Sequence, residues 1–198
     1  MSVQLSFFAA GDTPATIDQL EGLLAGPAQV IRRDLAARIS VLVTAGWRVD
    51  ALLEAFAQRG LRAAPEGTER PDGGRHDVVS VRTEFSDRLL AVAARWTGGA
   101  VKRPPADLVL DGPRLRLWAI ASGAATPKGY LLRLPASTSA DWSPCGSALS
   151  RSGVTGAYVG VRAGGPAYRV SGRRQLTRLR ELVGDPPPGT AGDWPAQK

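Results

Sequence analysis

The sequence predicts an α+β protein made of two pseudo-symmetric halves, each running helix, strand pair, helix, strand pair, helix. Two short apolar stretches carry the first part of that prediction, Leu20 to Ala28 (LEGLLAGPA) and Leu117 to Ala125 (LWAIASGAA). Each is helical in pattern with small residues four apart, Gly22 and Gly26 in one, Ala119 and Gly123 in the other. Small residues at that spacing let two helix backbones pack closely. The second observation is that the same order of helical and alternating patterns follows each stretch. In both halves the helix after the second strand pair begins roughly sixty to seventy residues beyond the opening helix. The repeat lies in architecture, since side-chain identity between the halves is weak.

Residues 1–13 open with an apolar run, Val3 to Ala10, suited to a strand or an extended lead-in. Asp12 or Thr13 is placed to cap the first helix, with Pro14 in its first turn and Gly26-Pro27 as its stop. Gln29 to Val43 predicts a hairpin turning at Arg33-Asp34, with Ile39, Val41 and Val43 opposed to Arg38, Ser40 and Leu42. Val49, Leu52, Leu53 and Phe56 share one face of a helix from about Trp47 to Gly60. A strand interrupted by the turn-rich Pro65 to Gly74 follows, and His76 to Thr83 alternates once more. A helix from about Ser86 to Thr97 closes the first half at Gly98-Gly99.

Asp111 is expected to cap the second opening helix, Pro113 to Ala124. Lys128 to Leu134 predicts a strand, Pro144 to Ser152 a short helix, and Ala157 to Arg162 with Ala167 to Ser171 a hairpin. Arg173 to Val183 predicts the closing helix, with Leu176, Leu179, Leu182 and Val183 at core spacing. The domain reading is therefore a first half over 1–100, a linker over 101–108, a second half over 109–184, and a Pro/Gly-rich tail over 185–198 expected to be disordered.

The 198 residues are 43% hydrophobic and 22% charged, a globular composition, with a net charge of +7 carried almost wholly by arginine. That balance favours a polyanionic partner. A single cysteine, Cys145, excludes an internal disulfide and a thiolate metal cluster and reads as a small buried filler. The one histidine, His76, is too distant in sequence to suggest a Cys/His pair. With neither a basic-then-apolar leader nor a membrane-length apolar run, the expected location is the cytoplasm, on the nucleoid if the partner is DNA.

Two αββαββα halves opened by small-residue helices resemble the LAGLIDADG homing-endonuclease fold. LEGLLAGPA matches that signature at Leu20, Gly22 and Leu23, with Leu24 for isoleucine and Gly26 for alanine. LWAIASGAA matches at Leu117, with Ala119, Ile120 and Gly123 similar. Tyr168 to Gly184 is similar to the strand-into-helix ending of such proteins. The resemblance implies that the two signature helices pack at a pseudo-twofold axis above a concave saddle of sheets that lies along a DNA duplex. It also implies that each signature ends at a metal-binding acid, and those positions fall here on Pro27 and Ala124. A shift of register in the second copy brings Ser122 instead. None of these is a carboxylate, which Mg²⁺ sites require, so the expectation is a retained fold without a metal cofactor or nuclease chemistry. WhiA-type sporulation regulators contain a LAGLIDADG domain in the same state.

On that saddle the outward strand positions are Arg32, Arg33, Arg38, Ser40, Ser80 and Arg82 in the first half, and Lys128, Arg133, Tyr158, Arg162, Arg169 and Ser171 in the second. His76 stands with the first set but reads as an ordinary turn residue. Arginine serves both for bidentate contact to guanine and for pairing with phosphate. Arg173 and Arg174, opening the last helix, and Lys102-Arg103, in the linker, read as phosphate contacts or solvated charges. The expected activity is sequence-specific, non-catalytic binding of double-stranded DNA by a monomer, as in a transcriptional regulator. The alternatives are a nuclease with ligands relocated to Asp77, Glu84 or Asp141, a protein-interaction scaffold, and an RNA-binding maturase-like protein. The scarcity of aromatic residues argues against stacking on single-stranded bases.

Overall fold

The computed structural model describes residues 14–44, 46–69, 75–99, 101–136, 140–190 and 192–195, with the side chains of 68, 69 and 75–77 outside that description. The N-terminal lead-in, Asp12 and Thr13 lie outside it as well. The first half begins with a 3-10 turn, Ile17–Leu20, running into α1, Glu21–Ala25. The helical start is at Thr16, not at Asp12 or Thr13. The Thr16 N–H donates to the Gln19 side chain 3.1 Å away, which satisfies a donor that the first turn leaves open.

Strands β1 (Gln29–Arg33) and β2 (Ala36–Val43) form the expected hairpin, with Asp34 at φ 53° in the turn. Then come α2 (Gly46–Ala57), β3 (Ala63–Glu69), β4 (Arg75–Thr83) and α3 (Leu90–Trp96). A two-residue ladder, β5 (Thr97–Gly98) with β6 (Val101–Lys102), ties the start of the linker to the end of the first half. The second half repeats the order as α4 (Gly112–Ser122), β7 (Gly123–Thr126), β8 (Gly129–Arg133), α5 (Ser143–Arg151), β9 (Gly156–Val159), β10 (Ala167–Val170) and α6 (Arg173–Val183). Asp111 caps α4 as expected, its carboxylate accepting from the Arg114 N–H at 3.0 Å.

Both four-stranded sheets are antiparallel, and their orders correspond: β1-β2-β4-β3 in the first half and β7-β8-β10-β9 in the second. Two differences from the sequence reading stand out in the second sheet. Gly123 and Ala124, assigned by pattern to the end of the helix, begin β7, because α4 stops at Ser122 and the chain turns extended at Gly123. Small apolar residues carry no marker for where a helix gives way to a strand. Arg162 is also not on a strand: β9 ends at Val159 and the chain enters a 3-10 turn, Val161–Ala163.

One apolar core runs through both halves, with Leu20, Leu23, Leu24, Phe56, Trp96, Trp118 and Tyr130 almost wholly enclosed. At its centre α1 crosses α4. A Cβ on Gly22 would overlap the Arg114 carbonyl, and one on Gly26 would lie 2.9 Å from Ser122 Oγ and 3.1 Å from Trp118 Cδ1. The α4 row that meets the two glycines is thus Arg114, Trp118 and Ser122. Ala119 and Gly123 lie one position beyond it. Gly123 is small for another reason, since a side chain there would strike the Tyr130 hydroxyl and the Ala119 carbonyl. At the other end of α1, the buried Glu21 carboxylate pairs with Arg95 of α3 at 2.8 Å and lies 3.4 Å from Arg114 of α4.

The expected disorder of the tail does not hold for its described residues, 185–190 and 192–195. Trp194 is buried, its Nε1 donates to the Gly184 carbonyl at 2.9 Å, and its ring meets Trp47 edge-on at 6.3 Å. Arg116 donates to the Val183 and Asp185 carbonyls, and its guanidinium lies over the Trp194 ring. Proline and glycine remove regular secondary structure, but one tryptophan with a place to bury is enough to hold an irregular chain against the surface.

Substituting Gly22 by Val is expected to destabilise the fold by about 1–3 kcal/mol or more, because the inserted volume meets rigid backbone. Gly46→Ala, where nothing lies within 4 Å of the added Cβ, is expected to be neutral or slightly stabilising. Thermal melts of the two variants check both.

Candidate nucleic-acid interface

Strand alternation and ladder register together decide which side chains stand on the face of each sheet turned away from the core. In the first sheet Ala37, Ile39, Val41 and Val81 point into the core. The opposite face therefore carries Arg38, Ser40 and Leu42 of β2, joined through the ladder by Gln29 and Ile31 of β1, Ser80 and Arg82 of β4, and Ala64 and Glu66 of β3. Arg33 shares that face. Arg32 does not: it pairs with the core residue Ala37 and stands on the other side of the sheet.

The guanidiniums of Arg33 and Arg38 lie over the Phe85 ring, 4.0 and 4.9 Å from its centroid, so one aromatic ring attracts two positive charges. Arg82 donates from Nε to Ser80 Oγ at 3.0 Å and pairs through Nη1 with Glu66. Ser80 is buried beneath it, so its hydroxyl positions Arg82 and is not open to a ligand.

In the second sheet Leu132, Tyr130, Tyr168 and Val170 face the core. The outer face carries Leu131 and Arg133 of β8, Ala167 and Arg169 of β10, and Ala157 and Val159 of β9. Leu131, Val159 and Ala167 form a small apolar cluster of their own there. Arg133 donates to the Gly164 carbonyl at 2.9 Å. Tyr158 is not on this face. It pairs with Tyr168, and the two rings meet edge-on at 6.0 Å on the core side of the sheet. Lys128 in the β7–β8 turn, Arg162 in its 3-10 turn, Ser171 beyond β10, and Arg173 and Arg174 opening α6 are all exposed. The side chains of His76 and Asp77 lie outside the described residues.

The sequence reading missed Phe85 and Glu66. Glu66 sits in PEGTERPDGG, where turn-forming residues hide the two-residue period that places it on the outer face.

The ends of the two opening helices hold the least expected feature. Pro27 and Ala124 are half-buried. At the end of α1, Lys102 Nζ donates to the carbonyls of Leu24, Gly26 and Ala28 at 2.8, 2.8 and 2.5 Å, with the Trp96 and Trp142 rings 6.0 and 5.2 Å from it. At the end of α4, the buried Arg48 donates to the carbonyls of Ala119, Ile120 and Gly123 at 3.0, 2.5 and 2.5 Å. A cation thus satisfies the free carbonyls at each helix C-terminus, where the helix dipole favours positive charge. Lys102 is not the solvated or phosphate-facing charge its linker position suggests, whereas Arg103 is exposed. Burial pushes the Lys102 ammonium down to about 7 and the Cys145 thiol up to about 12. Cys145 is fully enclosed, in keeping with a filler.

This donor set does not fit a divalent metal, since it presents carbonyls already taken by fixed cations and no carboxylate. Among the described residues no three of His, Cys, Asp and Glu converge on a metal position. Asp141 accepts from the Ser143 N–H and hydroxyl at 2.9 and 2.7 Å, which holds its carboxyl below the ordinary range. Ser122 donates to the Arg133 carbonyl at 3.1 Å, and Glu84 is exposed.

No protein-family model and no curated protein matches the chain. A solved structure does: the homing endonuclease I-WcaI bound to its DNA recognition sequence aligns with a TM-score of 0.64 at 11% identity, over 92% of this chain and 87% of that one. At that identity the likeness is one of fold, the LAGLIDADG-like double αββαββα arrangement. Among the described residues no helix is long and apolar enough to cross a membrane.

Lys102→Met is expected to cost at least ~2 kcal/mol, because it strips three enclosed carbonyls of their donor. The Lys102 pKa in the fold, about 7, lies below the ordinary 10.5. Between those values the unfolded chain holds the extra proton, so this group's contribution to stability rises with pH across that window. Urea unfolding of both proteins from about pH 6.5 to 9.5 checks this: the gap between them should widen in favour of wild type as pH rises.

Proposed function

We propose that the protein is a non-catalytic, sequence-specific reader of double-stranded DNA, acting as a monomer in transcriptional regulation on the nucleoid. The observation that carries this reading is the repetition of arginines on the outer faces of two corresponding sheets: Arg33, Arg38 and Arg82 on one, Arg133 and Arg169 on the other. Strands of this kind enter the major groove, where arginine distinguishes guanine by a bidentate contact and its charge draws in the backbone. The fold likeness to a homing endonuclease bound to its recognition sequence supports DNA as the ligand. A duplicated chain presents both halves of a site without dimerising, which favours an asymmetric or loosely palindromic target.

Loss of cleavage is supported by the helix ends. Pro27 and Ala124 offer no carboxylate, and Lys102 and Arg48 already occupy the carbonyls beside them. A cation-filled helix end stabilises the crossing without a metal and leaves no open position for an activated water.

Selection from a randomised duplex library at about 0.15 M salt tests the reading, with enrichment of one motif of roughly twenty base pairs expected. If about six phosphates are neutralised, log K falls against log salt with a slope of about −5. Replacing Arg38, Arg82, Arg162 and Arg169 by glutamine together should flatten that slope and abolish enrichment. Supercoiled plasmid should remain uncut with Mg²⁺ or Mn²⁺. Cleavage lost on substituting Asp77, Glu84 or Asp141 would establish a nuclease instead, stronger retention of RNA a maturase-like role, and no retention of either nucleic acid at low salt a scaffold.

A further inference from the structure

At one end of the first sheet the chain departs from regular pairing. The ladder between β2 and β4 runs as far as Ser40 opposite Arg82. Beyond it the Ile39 N–H donates to the Thr83 hydroxyl at 3.0 Å, and Ala37 and Ser86 exchange backbone hydrogen bonds of 3.0 and 2.8 Å. Thr83, Glu84 and Phe85 therefore stand opposite only Arg38 and Ile39. One extra residue in a strand bends it and re-aims a side chain. Phe85 is half-buried there, with Arg33 of β1 and Arg38 of β2 over its ring.

Arg33 ends β1, and its ladder partner Ala36 lies two residues before Arg38, so the two arginines are diagonal neighbours on one face. Among the described residues neither has a hydrogen-bond or ion-pair partner, and Arg38 Nε is enclosed without one. Asp34 and Glu84, the nearest carboxylates in sequence, are exposed and pair with neither. Arg82, on the same face, is instead paired with Glu66 and held by Ser80. Attraction to a ring uses none of the acceptors a guanidinium needs, so the terminal N–H groups of both arginines remain unspent. Two like charges gathered at one ring repel each other, and an anion beside them relieves that repulsion.

We infer that Arg33, Phe85 and Arg38 form a phosphodiester anchor: the two arginines hold the backbone of the DNA, not its bases, and Phe85 is the positioning residue that presents them. The inference rests on the DNA-binding reading above and adds which charges of the first sheet fix its place on the duplex without regard to sequence. A phosphate suits the pair because it accepts several charge-assisted hydrogen bonds and neutralises charge that no carboxylate offsets. A guanidinium already steadied by a ring loses less side-chain freedom when it binds. Arg82, with its charge offset by Glu66, adds less to this sequence-blind attraction.

The test uses the duplex selected from the randomised library and a scrambled duplex of equal length. Fluorescence anisotropy follows binding of both from about 0.05 to 0.3 M salt. The proteins are wild type, Arg33→Gln, Arg38→Gln, Phe85→Leu and Phe85→Tyr, each first melted to confirm folding. Each glutamine variant should weaken both duplexes about fivefold at about 0.15 M salt and lower the slope of log K against log salt by about 0.9. The ratio between the two duplexes should stay at its wild-type value. Phe85→Leu should also lower the slope, although it removes no charge, and Phe85→Tyr, which keeps a ring, should match wild type. A purely structural role for Phe85 would leave the salt slope unmoved. If a glutamine variant loses preference for the selected duplex and keeps its slope, the arginines read bases and the anchor is overturned. Unchanged affinity and slope in both glutamine variants overturn it too, and the DNA reading survives either result. A wild-type slope for Phe85→Leu removes Phe85 from the anchor. If wild type binds neither duplex at low salt, the DNA reading fails and the anchor with it.

Discussion

The crossing of α1 and α4 is the constraint on which everything else in this fold depends. The backbone at Gly22 lies so near the Arg114 carbonyl that a methyl group would not fit, and Gly26 leaves room only for Ser122 and Trp118. That approach fixes the separation of the halves, and with it the spacing of the two outer faces. Around the crossing, Glu21 draws Arg95 and Arg114 together near the start of α1, while Lys102 and Arg48 close the far ends of the two helices. Charge and close packing thus act on the same pair of short helices, one of which is a single turn preceded by a 3-10 turn.

Buried cations at both helix ends connect stability to function. Each satisfies three carbonyls that would otherwise need water or a metal, and each is set among aromatic rings, Trp96 and Trp142 about Lys102 and Trp47 beside Arg48. The carbonyl ends of both helices are thus structural joints, and the proposed activity lies in the sheets.

The sheets are copies in topology and diverge in the side chains their outer faces present. One offers stacked and ion-paired arginines, Arg33, Arg38 and Arg82. The other offers Arg133 and an unpartnered Arg169 over an apolar floor. The shared topology supplies the frame, and the outer-face residues differ between the two sheets.

The order αββαββα, the hairpin over Gln29 to Val43, the Asp111 cap and the closing helix at Arg173 to Val183 were all legible in the sequence alone. They rest on local periods, caps and turns, and tertiary contacts agree with them. So were Arg38, Arg82, Arg133 and Arg169 as outward residues, because a two-residue alternation sets a side chain's face once the core face is known. The start of β7 at Gly123, the placement of the exposed Tyr158 on the other face of its sheet, the docking of Trp194, and the burial of Lys102 and Arg48 were decided only by tertiary structure. Local pattern says which face of a strand or helix a residue occupies; it does not say what the rest of the chain brings against that face. A lysine in a short linker looks solvated until three carbonyls from a helix far away in sequence converge on it, and that convergence exists only in the folded chain.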